Sequence, residues 1–287
     1  MYSFDIIRPS APLQPYVHHY WVLKCTDTGQ EMRQRVLPWG CVQLAFHKGK
    51  RLFSQTLGKE QPRHFACGQE TGYADLCYRG EVEMIAVALQ PYAARLFFAQ
   101  PPVLFKDDYI DLEDLEDNGL AELARQIEDT EDTRRSIALI EQFLLHRLCG
   151  GDDYNCRRLA AVVRRIEAQP SLKAAEMADI ACLSVRQFSR IFSENVGLTP
   201  KDFSRIIKVQ RAIYMFQGFP EMKTINFAEA AAACGYSDQS HMIKEFKCLT
   251  GHTPKEYLAR ARRIPIISIA LKVSFVAILL SGSTGPP

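Results

Sequence analysis

Several things are scarce or missing in this chain, and each absence closes off a class of protein. The nine cysteines, at 25, 41, 67, 77, 149, 156, 182, 234 and 248, stand singly, and no two form a C-x-x-C pair. An odd number of scattered thiols is poor material for a disulfide framework or a zinc ribbon and suits a reducing cytosol, so a cytoplasmic protein is expected. Most of these thiols read as small buried apolar side chains. His18-His19, His47 and His64 lack the spacing of a metal-ligand set, so neither metal nor cofactor is expected. The opening MYSFDIIRPS has no basic start and no apolar core, which predicts no signal peptide. Long apolar runs are lacking too. The best, Ile264–Leu280, is 17 residues interrupted by Pro265 and Lys272, against about 20 for a membrane span.

Net charge is also small, at +2 from 35 Lys and Arg against 33 Asp and Glu. Split at Gly150, the figure changes character. Residues 1–150 sum to −5 and residues 151–287 to +7. Asp107–Asp132 alone holds twelve carboxylates against one base, Arg125. Such asymmetry points to a nucleic-acid or membrane partner for the basic half; the alternative is a chance split of solvated faces. With 287 residues, 47% of them hydrophobic and 24% charged, the chain is a globular protein with room for two domains.

Up to about Lys106, short apolar runs (Tyr16–Leu23, Cys41–Phe46, Leu52–Thr56, Met84–Leu89) alternate with turn residues such as Pro38, Gly40, Gly58 and Gly68. That texture predicts an antiparallel sandwich or small barrel, followed by a short helix over Pro91–Phe98. Residues 111–148 turn helical. Leu112, Leu115, Leu120, Leu123 and Ile127 form one series and Ile137, Ile140, Phe143, Leu144 and Leu148 another, which makes an αα-hairpin breaking near Asp129–Thr133. Gly150-Gly-Asp-Asp153 is the linker expected between domains. The expected division is therefore 1–150, a sensor and dimerisation domain; 151–263, an all-α domain; and 264–287, an apolar tail.

The basic half contains an internal near-repeat. Phe192-Ser-Glu-Asn-Val-Gly-Leu-Thr-Pro-Lys-Asp-Phe203 returns as Phe246-Lys-Cys-Leu-Thr-Gly-His-Thr-Pro-Lys-Glu-Tyr257 at an offset of 54, while Ala178–Ser184 returns as Ala231–Ser237 at an offset of 53. Copy two thus has one extra residue after its serine. Each copy reads as helix, tight turn, helix and glycine stop. Ser184 and Gln187 make a capping box, Gly197 and Gly251 end the helices, and Thr199-Pro200 and Thr253-Pro254 start the next ones. Lys201–Phe216 is expected to be a long connecting helix with Phe203, Ile206, Ile213 and Phe216 inward.

Helix, turn and second helix is the geometry that places one helix in a DNA major groove. Arg186, Gln187, Ser189 and Arg190 interleave with Phe188 and Ile191. In copy two, Gln239, Ser240, His241 and Lys244 interleave with Met242, Ile243 and Phe246. Arginine reads guanine and glutamine reads adenine through paired hydrogen bonds, so these side chains suit base readout. A single such helix could equally be a solvated face; two in register within a basic domain favour DNA. Phosphate contacts are expected from Lys201, Arg205, Lys208, Arg211 and Lys255, which fix position without reading sequence.

Ala-Cys-Gly-Tyr-Ser-Asp-Gln-Ser-His at 233–241, Glu-Phe-Lys at 245–247 and Gly-His-Thr-Pro-Lys-Glu-Tyr at 251–257 resemble the C-terminal domain of the AraC/XylS family of bacterial transcription regulators, and the likeness covers 155–260. The resemblance implies two helix-turn-helix units on a long helix, with base contacts falling on Arg186, Ser189 and Arg190 and on Gln239, Ser240, His241 and Lys244. Met242 departs from a usual aromatic, Cys182 from a frequent glycine, and Ala228 and Ala230–Ala233 thin the apolar side of one helix. Pro9–Trp21, Val36–Leu44 and Gln90–Ala94 resemble an N-terminal domain often fused to this module, which implies a cupin-like β-barrel sensing a small-molecule effector. Trp21, Trp39, Phe46 and His47 are candidates to line its pocket, or simply to fill its core.

The fold class expected is α+β in two domains: a small barrel or sandwich with a helical hairpin, then the all-α double helix-turn-helix. The expected partners are double-stranded DNA, an effector, a second copy docking through the 134–148 helix, and RNA polymerase if the protein activates. Two other readings stand beside this one. One is a regulator tethered to the membrane by 264–280. The other is a DNA-repair methyltransferase, disfavoured because its Pro-Cys-His-Arg motif is missing, so no enzyme is expected.

Overall fold

The computed structural model describes residues 2–26, 29–148, 154–217 and 226–261, and every structural statement below concerns these. The Gly150–Asp153 linker, hence the 150/151 boundary, and the 264–287 tail lie outside them.

The first half is two antiparallel sheets. Its strands are β1 (Tyr2–Ile7), β2 (Val17–Cys25), β3 (Met32–Val36), β4 (Gln43–His47), β5 (Phe53–Ser54), β6 (Lys59–Glu60), β7 (His64–Cys67), β8 (Ala74–Tyr78), β9 (Val82–Leu89) and β10 (Tyr109–Asp111). They order as β1-β2-β9-β4-β7-β10 in the larger sheet and β3-β8-β5-β6 in the smaller. Strand alternation gives the larger sheet two buried faces. Tyr20, Val22, Leu44, Phe46, Ile85 and Val87 turn outward to the helices, while Leu23, Ala45, Phe65, Met84 and Ala86 turn inward to the smaller sheet. Near-continuous burial along β9 follows from that double cover.

Four helices lie against the larger sheet or lead away from it: α1 (Ala94–Phe97), α2 (Asn118–Glu128), α3 (Thr133–Leu148) and α4 (Tyr154–Ala168). The helix expected over Pro91–Phe98 is a single turn, Ala94–Phe97, and stops at Phe98, which is extended at ψ 133°. The strand expected over Leu52–Thr56 shrinks to Phe53–Ser54, and Gly58 at φ +67° lies in the turn that follows it. The αα-hairpin forms, with Leu120, Leu123 and Ile127 of α2 and Ile137, Ile140 and Leu144 of α3 buried.

Beyond α4 come α5 (Ala174–Ile180), α6 (Val185–Val196), α7 (Pro200–Gln217), α8 (Phe227–Ala233), α9 (Gln239–Thr250) and α10 (Pro254–Ala261). The chain is thus a two-sheet β domain followed by a helical domain with two helix-turn-helix units, α5–α6 and α8–α9, joined by α7. Rings tie the units to α7. Phe192 meets Phe203 at 5.8 Å, and Phe216 meets both Phe227 and Phe246 at 5.8 Å. Phe227, in the first turn of α8, supplies bulk that the alanines after it lack.

Candidate nucleic-acid interface and the cavity behind it

The two units are built to the same plan. Ser184 accepts from Gln187 N–H at 3.3 Å and Gln187 returns the capping box; the extra residue of copy two, Asp238, takes the same role and accepts from His241 N–H at 2.8 Å. The α6 and α9 helices end on Gly197 and Gly251 at φ 87° and 75°, the left-handed position of a helix stop. Thr199 and Thr253 accept from the amides of Asp202 and Glu256 at 3.1 and 3.3 Å, starting α7 and α10.

These caps present the candidate readers. Arg186, Ser189 and Arg190 share one side of α6, spaced i, i+3 and i+4, while Phe188 and Phe192 are buried on the other. Arg186 and Arg190 are exposed; Arg190 holds both oxygens of Glu194 at 3.1 Å, a surface pair that DNA would have to open. Ser189 donates to Val185 O at 2.9 Å. On α9, Gln239, Ser240, His241 and Lys244 are all exposed in the first two turns, over buried Met242 and Phe246. His241 Nδ1 lies 3.1 Å from the Ser237 hydroxyl.

The candidate phosphate ligands divide. Lys201 and Lys255 are exposed at helix starts. Arg205 is committed inside the protein: its Nε donates to Glu245 of α9 at 2.5 Å and its Nη1 to Asp202 at 3.2 Å. Lys208 lies half-buried with Nζ 5.4 Å from the Tyr236 ring centre, and burial lowers its pKa. Arg211 is half-buried as well.

The β domain sits against the far ends of both reading helices. A Cβ on Gly197 would come within 3.2 Å of Pro102, and one on Gly251 would collide with Arg35 and Tyr73. Arg35 of β3 is the main tie. Its Nε and Nη2 donate to Asp75 at 2.7 and 2.6 Å, its Nη1 donates to Thr250 O at 3.3 Å and lies 3.0 Å from His252 Nε2, and its guanidinium stacks on Tyr73 at 3.9 Å. Nearby, Gln210 of α7 donates to Pro38 O at 3.1 Å, and Gly40 faces Phe203. Thr250 and His252 fall inside the near-repeat, but Arg35, Tyr73 and Asp75 carry no sequence motif, and sequence reasoning missed the tie.

Between the sheets is a cavity of about 90 Å³. Trp21 and Trp39 line it, as expected. Phe46 does not: it is on the opposite face of β4, among the residues that meet the helices. His47 is not part of the lining either; its Nε2 is paired with Gln61 Oε1 at 3.0 Å, and burial drops its pKa to about 4. Glu70, which no sequence signal marked, is in the cavity wall, and burial followed by the nearby Asp107 raises its pKa to about 8. Alternation along residues 34–41 makes that segment two-sided. Gln34, Val36, Trp39 and Cys41 line the cavity, while Arg35, Pro38 and Gly40 meet the helical domain. Among the described residues no group of His, Cys, Asp or Glu has the arrangement of a metal site, and no helix is long and apolar enough to cross a membrane.

Two capped helix-turn-helix units on one connecting helix, with polar and cationic side chains outward, define a DNA-binding class of protein. Residues 177–260 match the family described as "Helix-turn-helix domain", and residues 5–111 match "Domain of unknown function (DUF6597)". The RCS-specific HTH-type transcriptional activator RclR of Escherichia coli K12 is 29% identical over 109 residues; the match spans 37% of this chain and 37% of RclR. Among solved structures, ToxT from Vibrio cholerae O395 aligns over 91% of this chain and 99% of its own at 11% identity and a TM-score of 0.44. A probable AraC family transcriptional regulator from Rhodopseudomonas palustris aligns over 37% and 97% at 23% identity and a TM-score of 0.32. Residues 177–260 are thus a helix-turn-helix DNA-binding module, and a DUF6597 domain precedes it in the chain.

Proposed function

We propose that this protein is a sequence-specific, effector-responsive transcription regulator of the cytoplasm. The observation that carries it is the pair of helices α6 and α9, each held by an N-terminal cap and a left-handed glycine, each showing a polar face beside a buried one. Arg186, Ser189 and Arg190 read bases from one unit, and Gln239, Ser240, His241 and Lys244 from the other. Lys201 and Lys255 contact phosphates directly, with Lys208 and Arg211 beside them. Arg205 serves the same interface by fixing α9 to α7. The sheets form a cupin-like sensor whose cavity takes the effector, and the two-sided segment 34–41 carries the signal to the helices. A second copy docks through the 134–148 helix, and RNA polymerase is the partner when the protein activates.

Binding-site selection on random DNA with the purified full chain, followed by titration of the selected site, tests this. Arg186→Ala should lose about 5–150-fold in affinity and relax preference at one base step, the range of a lost bidentate contact. Lys201→Ala should weaken all sequences alike and flatten the salt dependence by about one unit of slope. A chain that selects no sequence, or one whose affinity ignores salt, refutes the reading. The sensing half has its own test. Ala45→Leu fills the cavity wall, and with an unchanged melting temperature it should shift operator affinity; no shift in a folded variant separates the cavity from DNA binding.

A further inference from the structure

We propose that the cavity between the two sheets binds a small organic cation, an amine whose charge meets Glu70 and whose body rests on the rings of Trp21 and Trp39. This rests on the effector reading above and names the chemical class of the effector.

The argument begins with what the wall contains. No lysine or arginine is among its residues. Its one base is His19, which burial and the neighbouring His18 hold neutral, with a pKa near 3. A carboxylate or phosphate entering here would find no counter-charge, and moving an unpaired anion out of water costs several kcal/mol at least. The opposite sign is provided for. Five aromatic side chains, Phe4, Trp21, Trp39, Phe65 and Tyr109, line the space, and aromatic rings attract a cation over their faces by their quadrupole. Trp21 is held in place, since its Nε1 donates to Gln43 at 2.9 Å and Phe4 stacks on it at 5.7 Å.

Glu70 then supplies the charge. The groups that act on it or feel it are Asp107, Cys41, Cys67 and Tyr109; all are acids, and none is a cation. Burial first, and Asp107 after it, hold the Glu70 carboxyl towards its protonated form, and no cation offsets them. An ammonium in the cavity supplies the missing partner. It stabilises the carboxylate, so binding near pH 7 expels the Glu70 proton into solvent and leaves an ammonium–carboxylate pair among aromatic rings. A neutral ligand would leave that proton where it is.

Calorimetry on the full chain at pH 7 tests the proposal, with benzylamine, phenethylamine and choline as probes and benzyl alcohol and benzoate as shape controls. The expected result is saturable binding of at least one amine, at least ten-fold tighter than benzyl alcohol and with benzoate silent. Its heat should vary with the ionisation enthalpy of the buffer, as release of a proton requires. Glu70→Gln keeps the shape and the hydrogen-bonding capacity of the protonated acid. It should lose affinity for the amine about ten-fold or more and remove the buffer dependence, while a sharp unfolding transition shows that it is folded. Equal or tighter binding of the alcohol or the acid overturns the cation class but leaves the effector reading intact. Failure of all three amines to bind overturns the class as well, and the effector reading is then judged by the Ala45→Leu operator assay.

Discussion

Replacing Cys182 by glycine should stabilise the first helix-turn-helix unit, and the second unit shows why. The turns α5–α6 and α8–α9 open with the same two backbone bonds, ahead of the extra residue in the second. Cys182 N–H donates to Asp179 O and Leu183 N–H to Ala178 O, both at 3.0 Å; 53 residues on, Gly235 N–H donates to Ala232 O at 3.0 Å and Tyr236 N–H to Ala231 O at 2.9 Å. The turn requires a left-handed residue, at φ 53° in the first unit and +80° in the second. Glycine adopts that conformation freely, whereas a residue with a Cβ loses about 1–2 kcal/mol there. Glycine's extra freedom in the unfolded chain takes back about 0.5–1 kcal/mol. The net gain expected for Cys182→Gly is therefore about 0.5–1 kcal/mol, a rise of a few degrees in Tm. Cys182 is exposed, so no packing is lost with its side chain.

The reciprocal change isolates the backbone term. A Cβ on Gly235 would lie 3.5 Å from Ser171 and 3.6 Å from Lys208, ordinary contact distances, so Gly235→Ala meets no clash and should cost about 1 kcal/mol from φ alone. Urea unfolding of the full chain followed by helix signal measures both, with hydrogen exchange at α5 and α6 amides locating the change. Opposite signs at the two positions are required. If Cys182→Gly is neutral or destabilising while Gly235→Ala is costly, the equivalence of the two turns is wrong.

Three further outcomes are expected. Ser184→Ala removes the acceptor that caps α6 and should lower stability by about 1 kcal/mol, read from the urea midpoint; Ser184→Asp should retain it. Arg35→Ala cuts the bonds to Asp75 and Thr250 O together and should cost about 1–3 kcal/mol, with faster hydrogen exchange at residues 247–252 than at α5; uniform exchange would show that the tie does not hold the domains together. Glu70 has a folded pKa raised from 4.5 to about 8, so the fold binds more protons than the unfolded chain between those values. The stability it confers is whole below pH 4.5 and is lost as pH rises through about 8, on the order of a few kcal/mol. Thermal melts from pH 4.5 to 8.5 should therefore fall more steeply for the native chain than for Glu70→Gln, and parallel curves would show that Glu70 is ionised in the fold throughout.

What sequence made legible here is what local rules write. The caps Ser184 and Gly197, the stops and the connecting helix are decided within a few residues of themselves, so each could be read from its own segment, and the inward faces Phe203, Ile206, Ile213 and Phe216 followed from a period of 3.6. Strands β1, β3, β6, β7, β8 and β10 fall outside the apolar runs that mark strands in the sequence. Met32-Arg-Gln-Arg-Val carries its alternation in arginines that serve salt bridges and a neighbouring domain, which local hydrophobicity cannot register. For Phe46 the sequence leaves pocket lining and core filling both open, and the structure places it in the core. Its register against Ile85, set by pairing with β9, decides its face. Glu70 and the Arg35 tie depend on residues brought together from distant parts of the chain, and no spacing rule could name them.

The position of that tie bears on regulation. A double helix-turn-helix reads DNA with both units only when their separation matches the groove repeat of about 34 Å. The connecting helix α7 sets most of that separation, and Arg205 pins α9 to it through Glu245. The β domain adds a second constraint, because it touches the C-terminal end of α6 at Gly197 and of α9 at Gly251 while the N-terminal ends carrying Arg186 and Gln239 stay open. Contact at both ends of a two-point gauge can change its span without covering either reader. On the proposed function, a shift of Trp39 in the cavity wall would press on Pro38 and Gly40, which abut α7 at Gln210 and Phe203, whereas the Pro102 contact on α6 comes from a separate segment. The effector would then act on the angle between units rather than by masking them. DNA affinity for a single half-site should be indifferent to Ala45→Leu, and affinity for the full two-groove site should not. Equal shifts on both sites would instead place the control on the readers themselves.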